Sequence, residues 1–184
     1  VSLFEEYGQD AVKLITDYHL RHGGVSRFEK FKYFFREYLG RAITEDEMRS
    51  LDQKFTKAAL AALLKTPFIP GVKEFLVAHH EKWPLYVASG APEHELKFIF
   101  NHLDLTRYFQ GIYGSPTPKH ALLARIVQEC GIEPQDALMV GDSHTDLAAS
   151  LTVGTRFLGV GEFEPPHPWM DDLTGLEKFL KDLA

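Results

Sequence analysis

The spacing of apolar positions changes character near residues 65–70. Before that point they recur every three or four residues in three stretches, 9–21, 27–39 and 45–64, which predicts three amphipathic helices. Ser26 with Glu29, and Thr44 with Glu47, have the spacing of capping boxes at the starts of the second and third. Gly40 supplies a stop after the second. Phe28, Phe31, Phe34, Phe35 and Tyr38 form a stripe at helical spacing, the pattern of a packed core rather than of a cofactor box. After Pro70, helical stretches alternate with short apolar runs. The helices are expected at 72–82, 93–102, 120–129 and 145–152, and the strands at 85–88, 112–113, 137–140 and 155–160. A proline-rich loop (162–168) and a closing helix (173–183) follow. Alternation of this kind predicts an α/β fold with a Rossmann-like, doubly wound parallel sheet, preceded by a small helical domain. The expected boundaries are 1–66 and 67–184.

Composition narrows the classes of function. With 45% apolar residues in 184, the chain can bury a sizeable core. A net charge of −6, with no basic stripe interleaved with aromatics, argues against nucleic acid as a partner. No run of 18 apolar residues and no secretory leader pattern is present, so no membrane association is expected and the cytoplasm is the expected compartment. The nine histidines form no metal-binding spacing, and His144 is expected on a solvent-facing helix position. Cys130 stands alone, so it forms no internal disulfide and reads as a packed helix-end residue.

Four polar segments sit where a strand or loop meets a helix. In Ala137-Leu-Met-Val-Gly-Asp142-Ser-His-Thr-Asp146, an apolar run ends at Gly141, and Asp142 and Asp146 follow at the edge where open α/β sheets bind ligands. Two oxygen-only side chains there suit a hard cation such as magnesium better than zinc. The same residues also fit a simple helix cap, with Asp146 on a solvated face. In the second segment, Ser89 with the amides of Gly90 and Ala91 precedes Pro92 and a helix, a place where free N–H groups favour an anion. In the third, Lys119 opens a helix, against the macrodipole, so local preference does not explain it; a role beside a bound phosphate and a place on a solvated loop both fit. Arg27 breaks the same rule in the fourth segment, Gly23-Gly24-Val25-Ser26-Arg27.

Taken together these residues resemble the haloacid dehalogenase superfamily, in its branch of phosphoglycolate phosphatases and β-phosphoglucomutases with an early helical cap. The resemblance spans nearly the whole chain and implies a magnesium-dependent phosphohydrolase acting on a small phosphorylated metabolite. It implies that Ser89 hydrogen-bonds the phosphoryl group and that Lys119 bridges phosphate and nucleophile. Asp142 would be a magnesium ligand, Asp146 a second ligand or an orienting group, and Arg27 a contact to the distal end of the substrate. A phosphomutase is the nearest alternative, and a dehalogenase would leave Asp142 unexplained. A non-catalytic relative that binds a phosphorylated ligand or a protein is the alternative of another class.

One departure from that family bears on mechanism. Its nucleophile is the first aspartate of an Asp-x-Asp segment on the first strand, and no Asp-x-Asp occurs in these residues. In the resembling fold that strand lies mid-sheet, between the strands ending at Ser89 and Val140. Without it both would carry unpaired backbone groups, each costing roughly 1–3 kcal/mol when buried and unsatisfied. The expectation is therefore a further strand preceding Val1 in a natural parent chain, and no turnover by the 184 residues alone.

Overall fold

A computed structural model describes residues 2–161 and 166–183. The chain divides into two compact units, Val1–Thr66 and Pro67–Ala184. The first is helical. A 3-10 turn (Ser2–Tyr7) leads into α1 (Gln9–Arg21), α2 (Arg27–Glu37) and α3 (Glu45–Leu63). On α2 the buried positions are Arg27, Lys30, Phe31, Phe34 and Phe35, the i, i+3, i+4 rhythm of one helical face. Phe31, Phe34 and Phe35 join Phe4, Ala11, Ile15 and Leu51 in a single core, with the Phe4 and Phe34 rings 4.4 Å apart. Phe28 is only half-buried, and Tyr38 lies exposed, stacked over Phe34.

The two predicted capping boxes have different outcomes. At α3 the box forms: the Glu47 amide donates to Thr44 Oγ1 at 3.3 Å and the Thr44 amide to Glu47 Oε2 at 3.0 Å. The Arg41 guanidinium, with further donors on Thr44, holds the Glu47 carboxyl down at about 2. At α2 the box does not form, because Ser26 makes no capping bond and Glu29 pairs instead with Lys32 at 2.8 Å.

The inward face of α2 carries a polar pair that periodicity does not reveal. Lys30 is buried and its Nζ lies 2.9 Å from His19 Nδ1 of α1. Burial lowers the pKa of Lys30, and burial with the adjacent Lys30 charge lowers that of His19. The fold therefore favours neutral His19. Its contribution is complete above the ordinary value of about 6.5 and is lost as acid protonates His19 more readily in the unfolded chain. We expect the urea midpoint of the chain to fall below pH 6.5, and the fall to be shallower in Lys30→Met, which removes the neighbouring cation. Parallel pH profiles for the two proteins would refute this.

The second unit alternates strand and helix: α4 (Val72–His79), β1 (Tyr86–Pro92), α5 (Glu93–His102), β2 (Gly111–Ser115), α6 (Lys119–Cys130), β3 (Leu138–Gly141), α7 (His144–Val153), β4 (Arg156–Val160), β5 (Trp169–Met170) and α8 (Leu176–Leu183). Its first and last segments are tied by the Leu173 amide, which donates to Pro70 O at 3.0 Å. Gly71, at φ +85°, is required there, since a Cβ would stand 2.6 Å from Leu173 O. The last helix starts later than predicted because Asp172 Oδ1 accepts from the Thr174 amide and hydroxyl, a local turn that competes with helix. Strand β5 pairs only two residues, Trp169 and Met170, with Gly159 and Val160, too few to show an alternation in sequence. At the far end of α6, Cys130 is half-buried and hydrogen-bonds Tyr86, which pushes that phenol up to about 12. Of the predicted loop 162–168, residues 162–165 lie outside the described residues.

All strand pairs are parallel, but they form two sheets rather than one. One is β1-β2 and the other β3-β4-β5. Among the described residues β1 pairs only with β2, and β3 only with β4. This is the separation expected of a sheet whose middle strand is not among these residues. Burial agrees: residues 86–91 of β1 are all half-buried, whereas β4, paired on both sides, buries Phe157, Leu158 and Gly159.

Candidate functional site

The site is assembled by two helix starts. Lys119 is the first residue of α6 and Asp146 lies in the first turn of α7. Lys119 Nζ meets Asp146 Oδ1 at 2.5 Å and Thr145 Oγ1 at 3.2 Å, with the Lys119 and Asp146 side chains only 12% and 5% exposed. The other oxygen, Asp146 Oδ2, accepts from Ser143 Oγ at 2.6 Å and from the Ser143 amide at 3.1 Å. Ser143 and Asp146 thereby cap α7, while the same carboxylate fixes Lys119. The ammonium that local preference disfavours at a helix start is held there by an acid on the neighbouring helix.

Gly141 makes this possible. A Cβ at that position would stand 2.5 Å from Asp146 Cγ and 2.8 Å from Oδ2, so the strand end must be bare for the carboxylate to lie against it. Asp142, the next residue, is exposed and makes no hydrogen bond or ion pair with a described residue. The capping residue of α7 is Ser143, not Asp142, and Asp146 is buried, so neither part of the simple-cap account of these aspartates describes them. Asp142 is left as an open carboxylate at the carboxyl end of β3, while both oxygens of Asp146 are engaged.

Ser89 belongs to the other sheet. It lies in the carboxyl-terminal half of β1, where the register with β2 shifts between Ala88 and Pro92. The segment containing Gly90 and Ala91 is an extension of the strand, not the first turn of α5, and the Ala91 amide donates to Ser89 Oγ at 3.2 Å. Ser89 makes no direct hydrogen bond to Lys119 or Asp142. Because Lys119 follows β2 and Asp146 follows β3, their contact sets the carboxyl ends of both sheets on one side. Ser89 and Asp142 therefore belong to the same edge of the unit, one on each side of the break between β1 and β3.

Arg27, expected to contact the distal end of the substrate, pairs within the helical unit. In the helical unit it is 6% exposed, its Nε 2.7 Å from Asp52 Oδ1 and its NH1 3.2 Å from Thr56 Oγ1, with Phe55 under the guanidinium. It joins α2 to α3. His144 is exposed, as expected. Sequence reasoning missed Ser143 and Thr145 as site residues. The Ser-x-x-Asp spacing of a capping box at 143–146 was the available signal for Ser143, and nothing local marks Thr145.

The donor set can be tested against magnesium. Asp142 offers an exposed carboxylate, with the Ser143 and Thr145 hydroxyls and the exposed His144 nearby in sequence. Among the described residues no three His, Cys, Asp or Glu side chains group as a metal site. A carboxylate exposed at the end of a strand fits the habit of magnesium, which keeps several waters and takes one or two carboxylates plus phosphate oxygens.

Comparison with known proteins bears on the family and the fold. A family model described as haloacid dehalogenase-like hydrolase matches residues 2–154. A phosphoglycolate phosphatase of Pseudomonas aeruginosa is 31% identical over 129 residues, covering 60% of this chain and 46% of that protein. The chain thus spans about half the length of the curated relatives it matches. Two solved structures share the fold at low identity. A predicted phosphoglycolate phosphatase from Haemophilus somnus has a TM-score of 0.71 at 19% identity, covering 97% of this chain and 87% of its own. A β-phosphoglucomutase from Clostridium difficile has a TM-score of 0.76 at 16% identity, covering 99% and 86%. With a match that runs from the helical unit through β1, β2 and β3 and includes both Lys119 and Asp146, the chain belongs to the haloacid dehalogenase-like hydrolases.

Proposed function

We propose that this chain supplies most of a magnesium-dependent phosphatase for a small phosphorylated metabolite, working through an aspartyl-phosphate on an aspartate outside residues 1–184. The observation that carries the reading is the largely buried Lys119 ammonium, fixed by Asp146 and Thr145 in the same helix start that follows the exposed Asp142. A cation held rigidly in a low-dielectric pocket needs no reorganisation when charge gathers on phosphoryl oxygens. Asp142 would hold the magnesium ion, which when bound offsets phosphate charge and aligns the ester. Asp146 acts through Lys119 as its positioning residue. Ser89 Oγ accepts from Ala91, so its own proton remains to donate to a phosphoryl oxygen, with the Gly90 amide beside it. Arg27, tied to Asp52, would shape substrate choice by fixing the packing of α2 on α3 rather than by reaching for the substrate.

Relatives named phosphoglycolate phosphatase support a small, anionic phosphate monoester as substrate. The likeness to a β-phosphoglucomutase concerns the fold alone and does not favour a mutase. The test is release of phosphate, with magnesium, from a panel of small monoesters including phosphoglycolate, by the chain completed with a carboxylate-bearing strand. Release is expected from the completed protein and none from the 184 residues alone. Ligand binding without release from any panel member would overturn the reading in favour of a non-catalytic relative.

A further inference from the structure

We infer that Thr145 and Ser143 are positioning residues for Lys119, forming a one-way hydroxyl chain from its ammonium to Asp146 that aims the remaining N–H. That this N–H meets a phosphoryl oxygen rests on the phosphatase reading above. The chain itself stands on distances and on what each group can donate.

The proton directions follow in order. The Lys119 ammonium has three N–H donors and no acceptor, and the Asp146 carboxylate has acceptors only. Ser143 Oγ lies 2.6 Å from Asp146 Oδ2, the length of a hydroxyl donating to a carboxylate. A hydroxyl carries one proton, so Ser143 has none left to give Thr145. The 2.8 Å contact between the two hydroxyl oxygens therefore runs from Thr145 to Ser143. That uses the only proton of Thr145, and its oxygen is left to accept from Lys119 Nζ at 3.2 Å, as an ammonium requires. Two routes thus lead from cation to carboxylate, one direct to Oδ1 at 2.5 Å and one through both hydroxyls to Oδ2. Every dipole on the second route points the same way, so its bonds strengthen one another.

The arrangement pins the ammonium in space. With Asp146 Oδ1 as sole acceptor, Nζ could swing about that oxygen by rotation of the last side-chain bonds of Lys119. A second acceptor, on the residue before Asp146, removes that freedom. Ser143 holds the Thr145 hydroxyl from the other side, and is itself buried and tied to Asp146 through its amide. Two of the three ammonium donors are then engaged, and Nζ makes no third hydrogen bond among the described residues. Because both hydroxyl protons point along the chain, Ser143 and Thr145 offer an incoming ligand no donor. Lys119 alone does, so the group that fits against it is a proton-free acceptor such as a phosphoryl oxygen.

Two measurements test this. In the 184-residue chain, deuterium isotope shifts at 13Cβ report how fast each hydroxyl proton exchanges, and both should be protected. Ser143→Ala should abolish protection at Thr145, which loses its acceptor, whereas Thr145→Val should leave Ser143 protected, because that proton goes to Asp146. The reverse asymmetry, or a Thr145 hydroxyl exchanging as fast as a solvent-exposed one, would overturn the chain. In the completed protein of the phosphate-release assay, Thr145→Val should lower kcat about 10- to 100-fold, the scale for losing a group that orients a site residue. KM should stay unchanged, since what is lost acts on the transition state and not on binding. Thr145→Ser, which keeps the hydroxyl, should restore turnover. Equal losses in the valine and serine variants, or a raised KM at unchanged kcat, would overturn the positioning role. Protection with the expected asymmetry but no phosphate release by the completed wild-type protein keeps the hydroxyl chain and sinks the phosphatase reading.

Discussion

Replacing Lys119 with methionine is expected to lower the unfolding free energy of the chain by about 3 kcal/mol, at the lower end of the range for breaking a buried ion pair by removing one partner. The side chain is close in length, so packing changes little. What changes is that Asp146, 5% exposed, keeps the Ser143 donors on one oxygen and loses its cation on the other. The double variant Lys119→Met/Asp146→Leu should recover much of the loss, because an apolar pair leaves no buried charge behind. Urea titrations of the two single variants and the double one measure the coupling directly. In the completed enzyme the same Lys119→Met change should reduce phosphate release about 100- to 1000-fold, the scale of removing a preorganised group from a site of developing charge. A variant that unfolds at the wild-type midpoint would show that the pair does not hold α6 against α7, and one with wild-type turnover would remove Lys119 from the chemistry.

The sequence made the lysine suspicious for a reason that the structure resolves. A cation at a helix start is unfavourable within its own helix, and only the neighbouring α7, from a distant stretch of chain, explains it. Strand and helix order was legible because buried runs and amphipathic stretches differ in period, and α1 and α5 fall on their predicted bounds. The break in the sheet was legible too, from the missing Asp-x-Asp and from what a middle strand contributes to its neighbours. Three things were not. The extension of β1 past Ala88 depends on Gly114 letting Ala91 O approach closely, which is a pairing between strands and leaves no local pattern. The inward turn of Arg27 depends on Asp52, from the next helix. The division of labour between Asp142 and Asp146 is set by which of them touches Gly141, and two aspartates four apart look alike in sequence.

That last contact makes Gly141→Ala the second change of large effect. The backbone at Gly141 is ordinary extended strand, so alanine costs nothing in conformation and the outcome tests sterics alone. The new methyl would overlap Cβ and Cγ of Asp146. Rotating the carboxylate cannot relieve this, because Asp146 Cβ is itself among the overlapping atoms, so the first turn of α7 must shift. Overpacking of this kind costs about 1–3 kcal/mol. The shift also draws the carboxylate away from Lys119, and loss of an orienting partner lowers activity about 10- to 100-fold in comparable sites. Asp146→Ala should lose activity on the same scale by removing that partner outright. Combining it with Gly141→Ala should cost less than the sum, since both act through one side chain. Strict additivity, in urea midpoints and in phosphate release by the completed enzyme, would mean that Gly141 and Asp146 act independently and that the bare strand end serves some purpose other than seating the carboxylate that holds Lys119.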